Sequence, residues 1–187
     1  DDASSKLLVV EAARKAIERA MSADGRVRPG MAYQDAATVN AAVDGWLAAS
    51  PRRPWFAFVA YMDPHDPYYV HPYDGHGYAR AVNPRPAPGE APRLRRLYRG
   101  EIHYWDAEFG KLLQDLRRRG LYDDMLIVVT ADHGEEFDDH GGYWHGTTLY
   151  DEAVHTPLYV KLPGNRRGGT VVRHWVQSID LMPTLLH

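Results

Sequence analysis

The chain has 187 residues, of which 44% are hydrophobic and 25% are charged, and its formal net charge is -3. This composition is typical of a globular protein with a sizeable core, and the charge gives no basis for binding nucleic acid. The absence of cysteine excludes disulfides, thiolate metal ligands and a cysteine nucleophile within these residues. No apolar run approaches the roughly 20 residues of a membrane span, so no membrane segment is expected here.

Two helices are predicted in the first part of the chain. The first runs from Ser4 or Ser5 to about Met21 and carries one apolar stripe. The second is capped by Asp35, because an aspartate before an apolar periodic segment is a typical helix start. The proline-rich segment 50–54 ends it.

Two apolar runs without polar alternation predict strands that are buried on both faces of a parallel sheet. They occupy residues 55–62 and 125–131. Between them, apolar residues recur every three or four positions from Leu97 to about Arg119, and Gly120 closes this helix. A helix between parallel strands is the crossover that such a sheet requires. The sequence therefore predicts an α/β fold with a mostly parallel central sheet flanked by helices.

Shorter elements complete the chain. Residues 69–92 are rich in proline, glycine and tyrosine and are predicted to form a long surface loop near the site. Residues 158–162 form a predicted strand, residues 170–176 a candidate strand, and Asp180 a cap for a last helix. No internal repeat or linker interrupts the sequence, so we expect one incomplete domain over residues 1–187, truncated at both ends.

Polar side chains follow both predicted central strands. Asp132 and His133 come directly after the second strand, and Gly134 allows a tight turn behind them. His65 lies in a loop after the first strand, where two prolines restrict the backbone. Ligands of open α/β sheets bind beyond the carboxyl ends of strands, and carboxylate and imidazole groups both bind divalent ions. The alternatives are a polar turn that caps the strand, and a histidine bonded to its own loop.

The segment that follows Gly134 has more charges and glycines than a simple connection needs. Its histidines are His140 and His145, and Gly146 would serve as a hinge if His145 were only a loop residue. We expect the acidic side chains of this loop to be exposed or to support a ligand residue, rather than to be ligands themselves. They are Glu135, Glu136, Asp138 and Asp139.

Four segments, in this order, resemble sulfatases of the alkaline phosphatase superfamily. They are residues 58–68 (FVAYMDPHDPY), 98–113 (YRGEIHYWDAEFGKLL), 126–163 (which includes DHGEEF, HGTTLYDE and TPLYVKLP) and 180–186 (DLMPTLL). The motif DHGE alone is common, whereas the four blocks together are specific. The resemblance covers most of residues 35–187.

The resemblance implies a sulfate-ester hydrolase that acts on a small sulfated substrate, such as a sugar or aryl sulfate. It also implies a divalent ion, usually calcium, that is bound in part by Asp132 and His133; manganese or zinc would suit the same ligands. By the same resemblance, His65 contacts the sulfuryl group and protonates the leaving oxygen, and His145 binds the sulfate oxygens. His140 is implied to lie near the substrate pocket.

Two parts of the family pattern are missing from this sequence. One is an acidic pair after an earlier strand, which completes the metal site. The other is a Cys or Ser followed by x-Pro-x-Arg, whose first residue becomes formylglycine; Ser50-Pro51-Arg52 has the wrong spacing. We therefore expect the chain to be the later part of a sulfatase-like catalytic domain, with the nucleophile outside it, and to be inactive alone.

The sequence is also compatible with two other functions. Phosphoryl enzymes of the same superfamily, such as phosphonate monoesterases, phosphatases or phosphoglycerol transferases, stabilise a similar tetrahedral anion and would use the same histidines. A non-catalytic scaffold is the alternative outside the enzymes. A scaffold has no need for Asp132, His133, His65 and His145 together.

Overall fold

The computed structural model describes residues 34–49, 54–81 and 83–186, which form two compact units that divide between Gln114 and Asp115. The first predicted helix, ending at about Met21, lies outside the described residues. In the part of the chain that is described, no helix is long and apolar enough to cross a membrane. The expectation of one domain stays a prediction.

Helix α1 spans Ala36–Ala48, as the capping signal predicted. The backbone N–H of Thr38 donates to Asp35 Oδ1 over 2.8 Å, which satisfies one of the open donors of the first turn. The side-chain amide of Asn40 donates to the carbonyl oxygen of Glu108 over 2.8 Å. This bond joins α1 to the long helix α2, which spans Ala91–Arg118.

Helix α2 begins six residues before the predicted start at Leu97. The carbonyl oxygen of Glu90 accepts hydrogen bonds from the N–H groups of Arg93 and Leu94, which start the first turn. Pro92 is compatible with that turn because its missing N–H would have no helical partner there. The predicted stop at Gly120 is confirmed, since this glycine has a φ of +66° and its N–H donates to Arg117.

The predicted strand at residues 55–62 is not formed. None of the strand pairings in the described part of the chain includes these residues, and a strand requires a partner for its N–H and C=O groups. The side chain of Phe58 is 84% exposed, which also contradicts burial on both faces. Apolar character alone therefore does not make a strand at this position.

The predicted loop over residues 69–92 contains part of a small hairpin. Strand β1 (Tyr68–Tyr69) pairs antiparallel with β2 (Gly77–Tyr78). A Cβ atom at Gly77 would overlap the carbonyl oxygen of Tyr68, so the close approach of the strands needs glycine here. Tyr69 and Tyr78 are buried, whereas most of the described residues from 70 to 90 are exposed or half-buried, so the hairpin anchors a loop that otherwise lies at the surface.

The second unit contains strand β3 (Ile127–Thr130) and strand β6 (Leu158–Lys161), close to their predicted positions. They pair antiparallel, with Val128 opposite Val160, so the described residues do not contain the predicted parallel central sheet. The side chains of both strands are at least partly exposed, rather than buried on both faces.

Between β3 and β6 lie the hairpin of β4 (Glu136–Phe137) and β5 (Tyr143–Trp144) and the short helix α3 (Asp151–Val154). The candidate strand at 170–176 is not formed. The chain ends with α4 (Leu181–Leu186).

Asp180 forms a cap in a different place from the one predicted. Its carboxylate accepts the N–H of Gln177 over 3.1 Å and so closes a single 3-10 turn over Ser178–Asp180. The expected bond to the first turn of α4 is replaced by this earlier one. Further 3-10 turns occupy Tyr122–Asp124 and Pro163–Asn165.

Candidate active site

Asp132 and His133 follow β3 directly, where the sequence predicted them. The Nδ1 atom of His133 lies 2.8 Å from the carbonyl oxygen of Gly134. Because a carbonyl only accepts hydrogen bonds, Nδ1 must carry the proton, and Nε2 is then the ring nitrogen that can bind a metal. The carboxylate of Asp132 is 91% exposed, and its Oδ2 lies 3.8 Å from this Nε2.

The Asp132–His133 pair fits part of a divalent metal site. Two donors that bind one calcium ion at 2.3–2.6 Å are separated by at most about 5 Å, and the 3.8 Å between Oδ2 and Nε2 lies within that limit. The donor set of one carboxylate and one imidazole also suits manganese or zinc. Because such ions take four to eight ligands, the pair supplies only part of the coordination shell.

Gly134 attaches this turn to helix α3. Its N–H donates to the carbonyl oxygen of Ala153 over 2.8 Å. A Cβ atom at position 134 would overlap the carbonyl oxygen of Glu152. The turn can approach α3 this closely only because residue 134 has no side chain.

The structure brings His145 to His133. Their imidazole rings stack with centroids 4.1 Å apart and planes inclined by 28°. The Nδ1 atom of His145 lies 3.0 Å from Oε1 of the buried Glu135, which orients the ring. Trp144, the preceding residue, is buried with a φ of +77°, a conformation that costs a bulky residue about 1 kcal/mol or more.

His140 lies at the edge of the same loop and is exposed. Its ring stacks on Tyr150 with centroids 3.6 Å apart, and its Nδ1 lies 2.6 Å from Oε1 of Glu152. His140 is therefore held beside α3, the helix to which the Gly134 turn is attached. Its role in substrate binding stays a prediction.

The buried side chain of Glu136 holds together the loop that carries His140 and His145. This side chain is fully buried and accepts hydrogen bonds from the N–H groups of His140 and Gly142 and from the hydroxyl of Thr148. A buried carboxylate with this many donors is well satisfied. From the sequence, the four acidic residues of this loop were expected to be exposed or to support a ligand residue. Glu135 and Glu136 are supporting residues, and only Asp138 and its neighbour Asp139 are exposed.

Two groups of three side chains in the described residues have possible ligand atoms within 4.8 Å of one another. They are Glu136, His140 and Glu152 in the second unit, and Asp63, His71 and Glu101 in the first. Neither group was predicted from the sequence, because each is completed by a residue from another segment, Glu152 or Glu101. The hydrogen bonds to Glu136 explain the first group as a structural network.

His65 belongs to the first unit and is exposed. Its N–H donates to the carbonyl oxygen of Met62 over 2.6 Å, and its Nδ1 donates to that of Asp66 over 2.6 Å. The first bond fixes the backbone of the loop, and the second places a proton on Nδ1, so that Nε2 is the nitrogen that can exchange a proton with a ligand. That His65 shares one pocket with Asp132, His133 and His145 stays a prediction.

The family model described as "Sulfatase" matches residues 12–187. The chain belongs to the sulfatase family. The resemblance found in the sequence is thereby confirmed. The match covers both units, including His65, the Asp132–His133 pair and the loop that carries His145.

This sulfatase-family chain is similar to curated proteins of several names. It is 38% identical to the "Multifunctional alkaline phosphatase superfamily protein PehA" of Trinickia caryophylli over 100 residues, which are 52% of the chain and 19% of that protein. It is 26% identical to a choline-sulfatase of Rhizobium meliloti over 162 residues, which are 72% of the chain and 31% of that protein. The chain therefore spans less than a third of the length of either relative.

The fold is similar to that of a solved phosphonate monoester hydrolase from Silicibacter pomeroyi. The TM-score is 0.64 at 32% identity, over 88% of this chain and 40% of that one. The predicted kinship with alkaline phosphatase-like hydrolases is therefore confirmed. In the described residues, the position of the predicted central sheet is occupied by the antiparallel pair of β3 and β6.

Proposed function

We propose that the protein containing this chain hydrolyses esters of small tetrahedral oxyacids, with phosphonate monoesters as the first candidate substrates. The observation that carries the proposal is the cluster at the end of β3, where His145 stacks on His133 beside Asp132. Two imidazoles and a carboxylate at one strand end suit the binding of an ion and an anionic ester together.

Asp132 and His133 Nε2 are the residues that would hold the divalent ion. When bound, the ion supplies positive charge that stabilises the charge developing on the ester oxygens. His145 would contact a non-bridging oxygen of the ester, and Glu135 would keep its ring in place for that contact. His140 would contribute to the substrate pocket.

His65 is proposed to protonate the leaving oxygen. Its exposed ring is fixed at Nδ1 by the carbonyl of Asp66, so that Nε2 is the atom that would transfer the proton. The nucleophile, proposed to be formylglycine or a hydroxyl side chain, would come from another part of the protein. The chain alone would then be inactive, as the missing motif predicts.

The choice of phosphonate esters follows from the similarity to other proteins. The solved phosphonate monoester hydrolase is 32% identical to the matched part of this chain, with a TM-score of 0.64. Sulfate esters are the second candidate, because the family is that of the sulfatases and the choline-sulfatase is 26% identical. Sulfate monoesters and phosphonate monoesters are both singly charged tetrahedral anions, so one site can accept either.

The test uses the full-length protein and compares kcat/KM for 4-nitrophenyl phenylphosphonate and 4-nitrophenyl sulfate. We expect turnover of both esters, with the larger kcat/KM for the phosphonate. Asp132→Ala and His145→Ala should each lower kcat/KM by about 100-fold or more, as for other groups that stabilise a transition state. His103→Ala is the matched control, because His103 is an exposed histidine on α2, and it should change kcat/KM by less than about twofold.

Each result separates the candidates. A larger kcat/KM for the sulfate would make sulfate esters the substrate class. Unchanged turnover in both Asp132→Ala and His145→Ala would reject the site. No turnover of either ester by the folded, metal-loaded protein would favour the non-catalytic alternative.

A further inference from the structure

Glu101 is a buried carboxylate that the proposed chemistry does not use. It lies on helix α2 and its side chain is fully buried. Its Oε1 accepts the backbone N–H of Tyr69, and its Oε2 lies 3.0 Å from Nε2 of His71. One side chain of α2 therefore holds two residues of the loop that begins at Asp63.

Two aromatic residues of α2 extend this contact on the same face. Tyr98 packs edge-on against Tyr68, with centroids 5.7 Å apart, one turn before Glu101. Tyr104, one turn after it, stacks on His71 with centroids 4.1 Å apart and planes inclined by only 4°. Residues three apart lie on one helix face, so α2 presents a continuous surface to residues 68–71.

The same loop carries His65. Two hydrogen bonds hold residues 62–66 of this loop. The N–H of His65 donates to the carbonyl oxygen of Met62, and the N–H of Arg80 donates to Oδ1 of Asp66 over 2.6 Å. The second part of the loop is closed by the pairing of β1 with β2. His65 is thus three residues from the start of the segment held by α2, with Pro67 restricting the chain between them.

A carboxylate is an expensive group to bury at this place. Removing it from water is unfavourable, and the negative charge of Asp63 acts on it as well. An apolar side chain would fill the same volume at lower cost. What an apolar side chain cannot provide is an acceptor for the N–H of Tyr69 and a carboxylate in ion-pair contact with Nε2 of His71.

We propose that Glu101 is a positioning residue for His65: by holding Tyr69 and His71 against α2, it fixes the loop that presents His65 to the leaving group. The proposal rests on the assignment of His65 as the proton donor. If the loop shifts, proton transfer suffers first, because it depends on the placement of Nε2. Esters whose leaving group needs no proton should be affected little.

The test compares a phenyl ester with a 4-nitrophenyl ester of the same acid in the full-length protein. Phenol is the weaker acid, so its departure depends more on a proton donor. Glu101→Asp keeps the buried carboxyl group but shortens its reach, and His71→Phe keeps the stack on Tyr104 but removes Nε2. Each should lower kcat/KM by about tenfold for the phenyl ester and by at most about twofold for the nitrophenyl ester.

Two reference variants complete the design. His65→Asn should show the same selective loss at larger size. Glu108→Asp is the matched control, because Glu108 is a buried carboxylate on the same helix that pairs with Lys111 instead of the loop. It should change kcat/KM for both esters by less than about twofold. Thermal unfolding of every variant identifies those that fail to fold.

The outcomes distinguish failure of the role proposed for Glu101 from failure of the role proposed for His65. A selective loss in His65→Asn without one in Glu101→Asp and His71→Phe overturns the role of Glu101 alone. An equal loss for both esters in the latter two variants also overturns it, because that is the effect of general damage. No selective loss in His65→Asn overturns the proton-donor assignment, and the role of Glu101 with it.

Discussion

The backbone N–H of Gly134 donates to the carbonyl oxygen of Ala153 over 2.8 Å, so the turn that carries Asp132 and His133 is attached to α3. The contact leaves no volume for a side chain at position 134, since a Cβ atom there would overlap the carbonyl oxygen of Glu152. The same helix holds His140 through Glu152. A change at Gly134 should therefore affect both the turn that carries Asp132 and His133 and the position of His140.

Gly134→Ala should lower both stability and activity. Separation of the turn from α3 should cost about 1–3 kcal/mol of the free energy of unfolding, which denaturant titration measures. It should also move Asp132 and His133 and lower kcat/KM of the full-length protein. Gly110→Ala is the control, because this glycine lies inside α2 with nothing within 4 Å of an added Cβ. It should raise the free energy of unfolding by about 0.5–1 kcal/mol. Equal effects in the two variants would refute the prediction.

Local signals predicted the start of α1 and the end of α2 correctly. The bond from Thr38 to Asp35 and the positive φ of Gly120 depend on residues within a few positions of one another, and such signals are present in the sequence itself. The strands predicted at residues 55–62 and 170–176 are not formed, because a strand depends on a partner elsewhere in the chain. Apolar composition carries no information about that partner.

The same distinction applies to the candidate site. The placement of Asp132 and His133 after a strand follows from their position behind an apolar run. The stacking of His145 on His133 depends on the register of β4 with β5, which the sequence does not reveal. The burial of Glu136 and Glu101 depends on packing between segments, so no local pattern distinguished them from exposed acidic residues.

Glu135→Gln should weaken catalysis without affecting the fold. Glu135 fixes His145 through the 3.0 Å contact with Nδ1, and an amide holds an imidazole less firmly than a carboxylate does. Loss of such an orienting partner typically costs about 10–100-fold, so we expect a decrease of this size in kcat/KM. Asp138→Asn is the matched control, since Asp138 is exposed in the same loop and asparagine tolerates its φ of +64°. A decrease of similar size in both variants would show that the loop, rather than His145, is sensitive.

Metal removal should lower thermal stability through Asp132 and His133. An ion that binds only the folded state raises the free energy of unfolding by about 2.7 kcal/mol at 100 times its dissociation constant. Addition of a chelator to the full-length protein should therefore lower Tm, and calcium or manganese should restore it. In Asp132→Ala the chelator should change Tm much less. A chelator effect of the same size in this variant would place the ion elsewhere.

Glu101 should make stability decrease as the pH rises. Burial, the largest cause, raises the pKa of Glu101 from 4.5 to about 7, and Asp63 adds to it, while bonds from Tyr69 and His71 act in the opposite direction. Since the folded protein holds this proton more tightly than the unfolded chain, its contribution to stability is complete below pH 4.5. That contribution is lost as the pH rises through about 7.

The free energy of unfolding should therefore be compared between the native chain and Glu101→Gln across this range. The difference between them should fall by roughly 3 kcal/mol as the pH rises from about 4 to about 8, since one pKa unit corresponds to about 1.4 kcal/mol. Titrating groups that do not interact with Glu101 are present in both proteins and cancel. Glu101→Leu provides a second reference that cannot titrate, and it should give the same pH dependence. A difference that stays constant or grows with pH would mean that Glu101 is already ionised in the folded protein well below pH 7.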